Sequence, residues 1–352
     1  MIHPVAVLGG GLAGAATALR LAQAGLRPIW LAAETAGDFK PGEHLSAAAI
    51  PLLATLGSDA MLRSETHRQA HSTYSAWGSD RLVERNAIVQ LEGPPIVLDR
   101  SAFEAALCAQ AVAAGAERIA CDVTDLSVAE GQWLLEAGQN RIKAGFVFDA
   151  TGRKAVIASR VSPRFQADKL CCTYALYAKT KDLTPRPVTL IEATEHGWWY
   201  LSVLADQRLV LNFFTDADLA SFPTADFEKQ ARGTEVISAY LMDYGYELSS
   251  RPGRITTNSS WISPVIGPGW AAVGDAAAAF DPLSSHGMTT ALWTAIEAAE
   301  AFIAQDRPRM RSYAEAVARG VQDYLTARQA VYSRETRWPQ SPFWARRHAS
   351  TA

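Results

Sequence analysis

The sequence predicts an α/β fold: a parallel-sheet domain, interrupted by an antiparallel β-sheet domain and completed by C-terminal helices. Three observations predict it. Pro4 to Leu8 is a short apolar run ending in glycines, Leu12 to Ala24 is Ala/Leu-rich and helical, and Pro28 to Ala32 is a second apolar run. Together they form a β-α-β unit of a buried parallel sheet with a right-handed crossover. Thr173 to Asp218 alternates apolar and polar residues and is rich in aromatic and β-branched types, as antiparallel strands are. From about Thr289 to Arg334 the pattern is helical, in two pieces broken near Asp306-Arg307-Pro308. The parallel-sheet domain is therefore expected from residues 1–75, 99–165 and 262–352, and the antiparallel sheet domain from 76–98 and 166–261.

The remaining elements follow in order. Lys40 to Gly57 starts with a Pro-Gly turn and reads as a helix with Leu45, Ile50, Leu53 and Leu56 on its apolar face. Ser72 to Leu98 reads as strands and loops, with a turn at Trp77-Gly78-Ser79-Asp80. Asp99 or Ser101 caps a helix running to about Ala114. Strands are expected near Arg118–Val123, Ser127–Val128, Gln132–Ala137 and Phe146–Ala150, and a helix over Phe227–Tyr244.

Composition bounds the function. The 352 residues are 49% apolar and 20% charged, which is ordinary for a soluble globular chain. The 33 basic and 36 acidic side chains give a net charge of -3, so there is no basic excess for nucleic-acid binding. Ile2 to Leu19 lacks charged residues, but its four glycines and missing basic flank mark a core strand-turn-helix, not a signal peptide or membrane span. The expectation is a cytoplasmic protein. Cys108, Cys121, Cys171 and Cys172 form no CxxC pair and are read as unpaired. His67 and His71 lie four apart but lack further ligands, so no metal site is expected.

Val5 to Gly14 matches G-x-G-x-x-G, placed after a strand and before a helix. Gly9 permits the tight turn, Gly11 lets the backbone approach a pyrophosphate, and Gly14 lets helix pack on strand. The amides of Leu12 and Ala13 belong to a helix N-terminus, which attracts phosphate. Glu34, about 20 residues beyond Gly14, suits the ribose contact. A second motif, Gly274-Asp275, follows a short strand and presents an acid to hydroxyl groups. Pro282, Gly287 and Met288 then surround a helix start whose amides can face a polarised ring edge.

With these motifs and Asp149-Ala150-Thr151-Gly152-Arg153, the chain resembles the class A flavoprotein monooxygenases over nearly its whole length. The group includes aromatic hydroxylases, flavin-dependent halogenases and geranylgeranyl reductases. The resemblance implies a Rossmann-like FAD-binding domain with an inserted antiparallel substrate domain and C-terminal helices. It implies FAD, with pyrophosphate at Gly11 and Gly14, ribityl at Asp275 and the flavin ring near Pro282, Gly287 and Met288. Arg100 and Val123 are further expected FAD contacts. A narrower set is Pro41-Gly42-Glu43-His44-Leu45, Ser75 to Asp80, Gly197-Trp198-Trp199-Tyr200, Asp281 to Ser285 and Arg337-Trp338-Pro339 with Phe343-Trp344. It is similar to the tryptophan-halogenase-like flavoproteins that mature quinone cofactors in amine and amino-acid oxidases. Two positions depart: His44 replaces the usual Ser, and Ala32 stands where an acid is usual.

The resemblance implies hydroxylation of an aromatic, indole-type group through a flavin C4a-hydroperoxide, with a Trp residue of a partner protein as one substrate reading and a small aromatic molecule as the other. A non-oxygenating reductase of the geranylgeranyl-reductase type is the alternative class. Halogenation is disfavoured, because no lysine lies between Lys40 and Lys143 and the Trp-x-Trp-x-Ile-Pro spacing is absent. Glu43, His44 and His286 are the candidate acid–base residues. Trp77, Trp198, Trp199 and Tyr200 are candidates to line an aromatic pocket. Electrons come either directly from NADPH or from a separate flavin reductase.

Overall fold

The computed structural model describes residues 2–33, 39–70, 72–86, 93–220, 226–284 and 286–349. The first sheet runs in the order 266–267, 270–272, 140–149, 2–8, 29–31, 117–119. Its centre is parallel: Val5 lies opposite Phe146, Val7 opposite Trp30, Leu31 opposite Ile119 and Asp149 opposite Ala272. Strands this deeply covered must be apolar on both faces, and Val5, Ala6, Val7, Phe148, Ala271 and Val273 are fully buried. Helices Leu12–Gln23, Arg100–Ala113 and Gly287–Ile303 pack together over the sheet. Strands Gln132–Ala137 and Asp125–Ala129 extend it as an antiparallel flap.

The second sheet runs 246–248, 170–179, 209–216, 197–203, 188–194, 72–76, 83–86. It is antiparallel except where Val188–Thr194 runs parallel to Ser72–Ala76. One face packs on Val236–Tyr244, whose first amides are held by buried Glu192: Glu235, Val236 and Ile237 N–H all donate to its carboxyl. An acid at a helix start satisfies amides that lack intrahelical partners. The other face looks toward the first domain.

Several sequence readings are altered by tertiary contacts. His44 and Leu45 are extended, because they pair with Val97 and Ile96; only Ile50–Thr55 is α-helical in that stretch. The expected helix over 227–244 is two helices, Phe227–Arg232 and Val236–Tyr244. Asp99 caps Arg100–Ala113 by accepting from Ala102 N–H, and Asp306 caps Arg307–Tyr332 by accepting from Arg309 N–H. A helix unforeseen in the sequence, Pro342–Ala349, is anchored by Arg347, which pairs with buried Asp216 at 2.8 Å.

Distant motifs meet here. The turn at Gly78 has φ +75°, and Gly78 N–H donates to Glu335 at 2.7 Å. Arg337 pairs with both Glu335 and Asp80 at 2.6 Å and stacks on Trp338. The C-terminal segment thus grips the sheet domain.

Candidate active site

A cavity of about 830 Å³ opens where the two sheets approach each other. The glycine loop forms one end. Gly9 has φ +114°, and a Cβ there would sit 2.1 Å from Ala150 O; a Cβ on Gly14 would sit 1.9 Å from Gly9 O. Both positions therefore demand glycine for packing. Gly11 differs: a Cβ would meet nothing within 4 Å, so its missing side chain leaves open space before the helix N-terminus. Trp30 Nε1–H donates to Gly9 O at 2.8 Å and fixes the loop, a contact that local sequence patterns do not reveal.

Gly9, Gly11, Leu12, Ala13, Arg100 and Val123 line this cavity. So do Asp275, Pro282, Gly287 and Met288, from the far end of the chain. Gly274 takes φ +59° behind them, where a Cβ would press on Ala13 at 2.7 Å. Glu34 lies outside the described residues. Ala32 is fully buried and Ala33 lines the cavity.

Arg153 holds the second half together. Its guanidinium donates to Asp275 at 2.7 Å, to Phe280 O at 3.0 Å and to Asn258 O at 3.3 Å. Asp149, fully buried, shapes the preceding turn by accepting from Thr151, Ile157 and Ala158 N–H. Arg100 donates to Pro41 O at 2.6 Å and to Glu104 at 2.8 Å, which ties the Pro41–Glu43 loop to its helix.

The sheet domain supplies the other wall: Cys172, Trp198, Tyr200, Asn212 and Phe214. Trp198 stacks on Phe214 at 3.9 Å. Strand alternation sends Trp199 to the opposite face, where it packs on Phe213 and Phe227. Trp77 also stays out of the cavity, edge-on to Trp198, Tyr332 and Trp344 with its N–H on Val331 O. Asn212 was missed in the sequence, although a lone amide within Leu209–Phe214 was a usable signal.

The acid–base candidates separate. Glu43 and His44 line the cavity; His286 lines a second, smaller one beside Trp293 and Tyr324. Burial pushes the Glu43 carboxyl above its ordinary value, opposed by nearby backbone amides, Tyr200 and Arg100. Burial, with a smaller contribution from Arg68, lowers His44 to about 3. His44 Nε2 lies 3.1 Å from Thr189 Oγ1 and 3.3 Å from Ser202 Oγ. A neutral imidazole with those partners is no acid at ordinary pH. Burial likewise drives the Tyr200 phenol well up, so it stays protonated.

Behind Trp198, fully buried Tyr332 accepts from Trp198 Nε1–H at 3.2 Å and donates to Asp281 at 2.6 Å. Asp281 in turn accepts from Leu283 N–H and faces Arg328. Substrate wall and Pro282 loop are thereby joined.

The glycine loop, the open space at Gly11 and the acid of Asp275 fit a dinucleotide whose pyrophosphate meets the first helix and whose ribityl chain meets Asp275. This fold and cleft define a Rossmann-type flavoprotein oxidoreductase. The chain belongs to the tryptophan halogenase family, whose model matches residues 96–352. A relative in Marinomonas mediterranea, described as "Putative FAD-dependent oxidoreductase LodB", is 27% identical over 98% of this chain and 97% of its own. Among solved structures, the myxobacterial chondrochloren halogenase CndH, an FAD-dependent halogenase, superposes with TM-score 0.87 at 18% identity, covering 98% of this chain and 86% of that one. The peptidyl tryptophan dihydroxylase QhpG, essential for tryptophylquinone cofactor biogenesis, superposes with TM-score 0.78 at 23% identity, covering 99% and 79%. The fold is thus that of FAD-dependent halogenases, and no described helix is long and apolar enough to cross a membrane.

Proposed function

We propose that the chain is an FAD-dependent monooxygenase that hydroxylates a tryptophan side chain of a partner protein during maturation of a quinone cofactor. One observation carries the reading: the cleft that fits FAD continues into an aromatic wall, Trp198, Phe214 and Tyr200, with a buried carboxyl and, among the described residues, no lysine on the sheet side. The lysines among the described lining residues lie elsewhere, Lys40 paired with Glu104 and Lys154 exposed beside Arg153. QhpG, whose fold this chain shares, is a peptidyl tryptophan dihydroxylase, and that supports a protein Trp as the acceptor.

Bound and reduced, FAD supplies the activation of dioxygen for oxygen transfer to the ring. The protein does the rest. The first helix and Gly11 hold the pyrophosphate, and Asp275, fixed by Arg153, meets the ribityl hydroxyls. Trp198 and Phe214, stacked on each other, form the aromatic wall against which an indole would lie. Buried Cys172 and Asn212, with half-buried Tyr200, exclude water from that wall. His44 stays neutral and shares its Nε2 with two hydroxyls, so it orients and does not donate a full proton.

The test mixes the FAD-loaded, reduced protein with oxygen and an unprocessed precursor of a quinone-containing amine oxidase, with bromide present, and maps peptides by mass. Oxygen gained on one Trp, dependent on the FAD-loaded protein, is expected. Bromination, or oxygen appearing only on a free indole added in parallel, overturns the proposal.

A further inference from the structure

Two residues that line the cavity each carry a buried side-chain atom without a hydrogen-bond partner among the described residues: Glu43 Oε1 and Thr257 Oγ1. The threonine hydroxyl can donate or accept, so it carries no information about a ligand. The carboxyl is different. Glu43 is 2% exposed and is placed by backbone on both sides: Gly42 at φ +92° and Glu43 O accepting from Leu98 N–H at 2.8 Å. Tyr200 and Arg100 lie close enough to act on the carboxyl electrostatically. Oε1 is nevertheless left over. A buried carboxylate oxygen without a donor costs on the order of 1–3 kcal/mol or more, and cavities retain such groups where a ligand completes them.

We propose that Glu43 Oε1 accepts the ring N–H of an indole-type substrate and so selects indoles over aromatic rings without that donor. This rests on the reading above of an aromatic acceptor at this wall. Glu43 stands within electrostatic reach of Tyr200 and Cys172, which line the aromatic wall of the same cavity. An indole lying against that wall offers one polar hydrogen at its edge, and Glu43 offers one unfilled acceptor.

The experiment measures binding to the oxidised, FAD-loaded protein, by calorimetry and by perturbation of the flavin absorbance. The probes are indole and 1-methylindole, the latter carrying a methyl in place of the donor hydrogen. The wild type is expected to favour indole by about tenfold or more, since a site built around a hydrogen bond rejects the analogue that lacks it. Glu43→Met, unbranched and apolar, brings the ratio to about one. Glu43→Gln, which keeps an acceptor oxygen, falls between. Steric exclusion by the added methyl would persist in Glu43→Met, so an unchanged ratio there refutes the assignment. A wild-type ratio near one, or no indole signal up to its solubility, refutes it as well. FAD affinity is titrated for all three proteins; a tenfold loss in both variants would mean that the cofactor, not the substrate, takes Oε1. None of these readings depends on turnover, so the inference can fail while oxygenation of a partner Trp stands, and the reverse.

Discussion

Tyr332→Phe removes one hydroxyl and strands two buried groups. The Trp198 indole N–H, 3.2 Å away, has no solvent to turn to, since Trp198 is 1% exposed. An orphaned buried donor costs about 1–3 kcal/mol. Asp281, 1% exposed, loses a 2.6 Å hydrogen bond to a carboxylate, worth about 1.5–3 kcal/mol. It keeps Leu283 N–H at 2.9 Å and Arg328 at 3.7 Å, which limits that loss. The two costs share one hydroxyl and do not add fully, so we expect about 3 kcal/mol in total. Urea unfolding of the FAD-free protein measures it. Trp198→Phe and the double variant complete a cycle. Once residue 198 has no N–H, the second substitution strands only Asp281, and a coupling of about 1–2 kcal/mol follows. A cost below about 1 kcal/mol, or strictly additive singles, would refute the argument that this hydroxyl ties the aromatic wall to the Pro282 loop.

Two more predictions follow from the cleft. Gly14→Ala forces a Cβ against Gly9 O and should cost roughly 3 kcal/mol of apo stability, whereas Gly11→Ala, with open space around it, should stay within about 1 kcal/mol yet weaken FAD binding by about tenfold or more; equal apo stabilities of the two variants would contradict the packing account. Glu43 has a folded value raised above 4.5, chiefly by burial, so its neutral form is favoured on folding: the stability it adds is full below 4.5 and is lost as pH rises through the folded value. Glu43→Gln is always neutral and should melt higher than wild type near about pH 8, with the gain vanishing near about pH 4; a gain that grows on acidification would reverse the sign of the argument.

Much of the fold was legible because it is written in local signals. The glycine spacing of 9, 11 and 14, the cap at Asp99 and the break at Asp306 each depend on a few neighbouring residues. The run from 5 to 8 is apolar because both sheet faces are covered. His44 shows where local reading stops: the Lys40–Gly57 stretch has helical spacing, but pairing with Val97 draws His44 into a strand. Trp199 shows the same limit for side chains. Three consecutive residues, Trp198 to Tyr200, looked alike as pocket candidates, and strand alternation sends Trp198 and Tyr200 one way and Trp199 the other. His286 sits two residues from Met288, yet it lines a different cavity.

The sequence by itself determined the dinucleotide cleft, because a phosphate is bound by backbone whose shape is set by contiguous glycines. It also carried the family motifs, including the unusual His44 and the missing lysine. Only the tertiary structure decided how these pieces act on one another. Arg153 meets Asp275, Tyr332 bridges Trp198 and Asp281, and Arg337 meets Asp80 through contacts that span from 51 to 257 residues of chain. The buried state of Glu43 and the depressed basicity of His44 belong to the same class. Both arise from desolvation, and desolvation depends on what packs around a group rather than on what neighbours it in sequence.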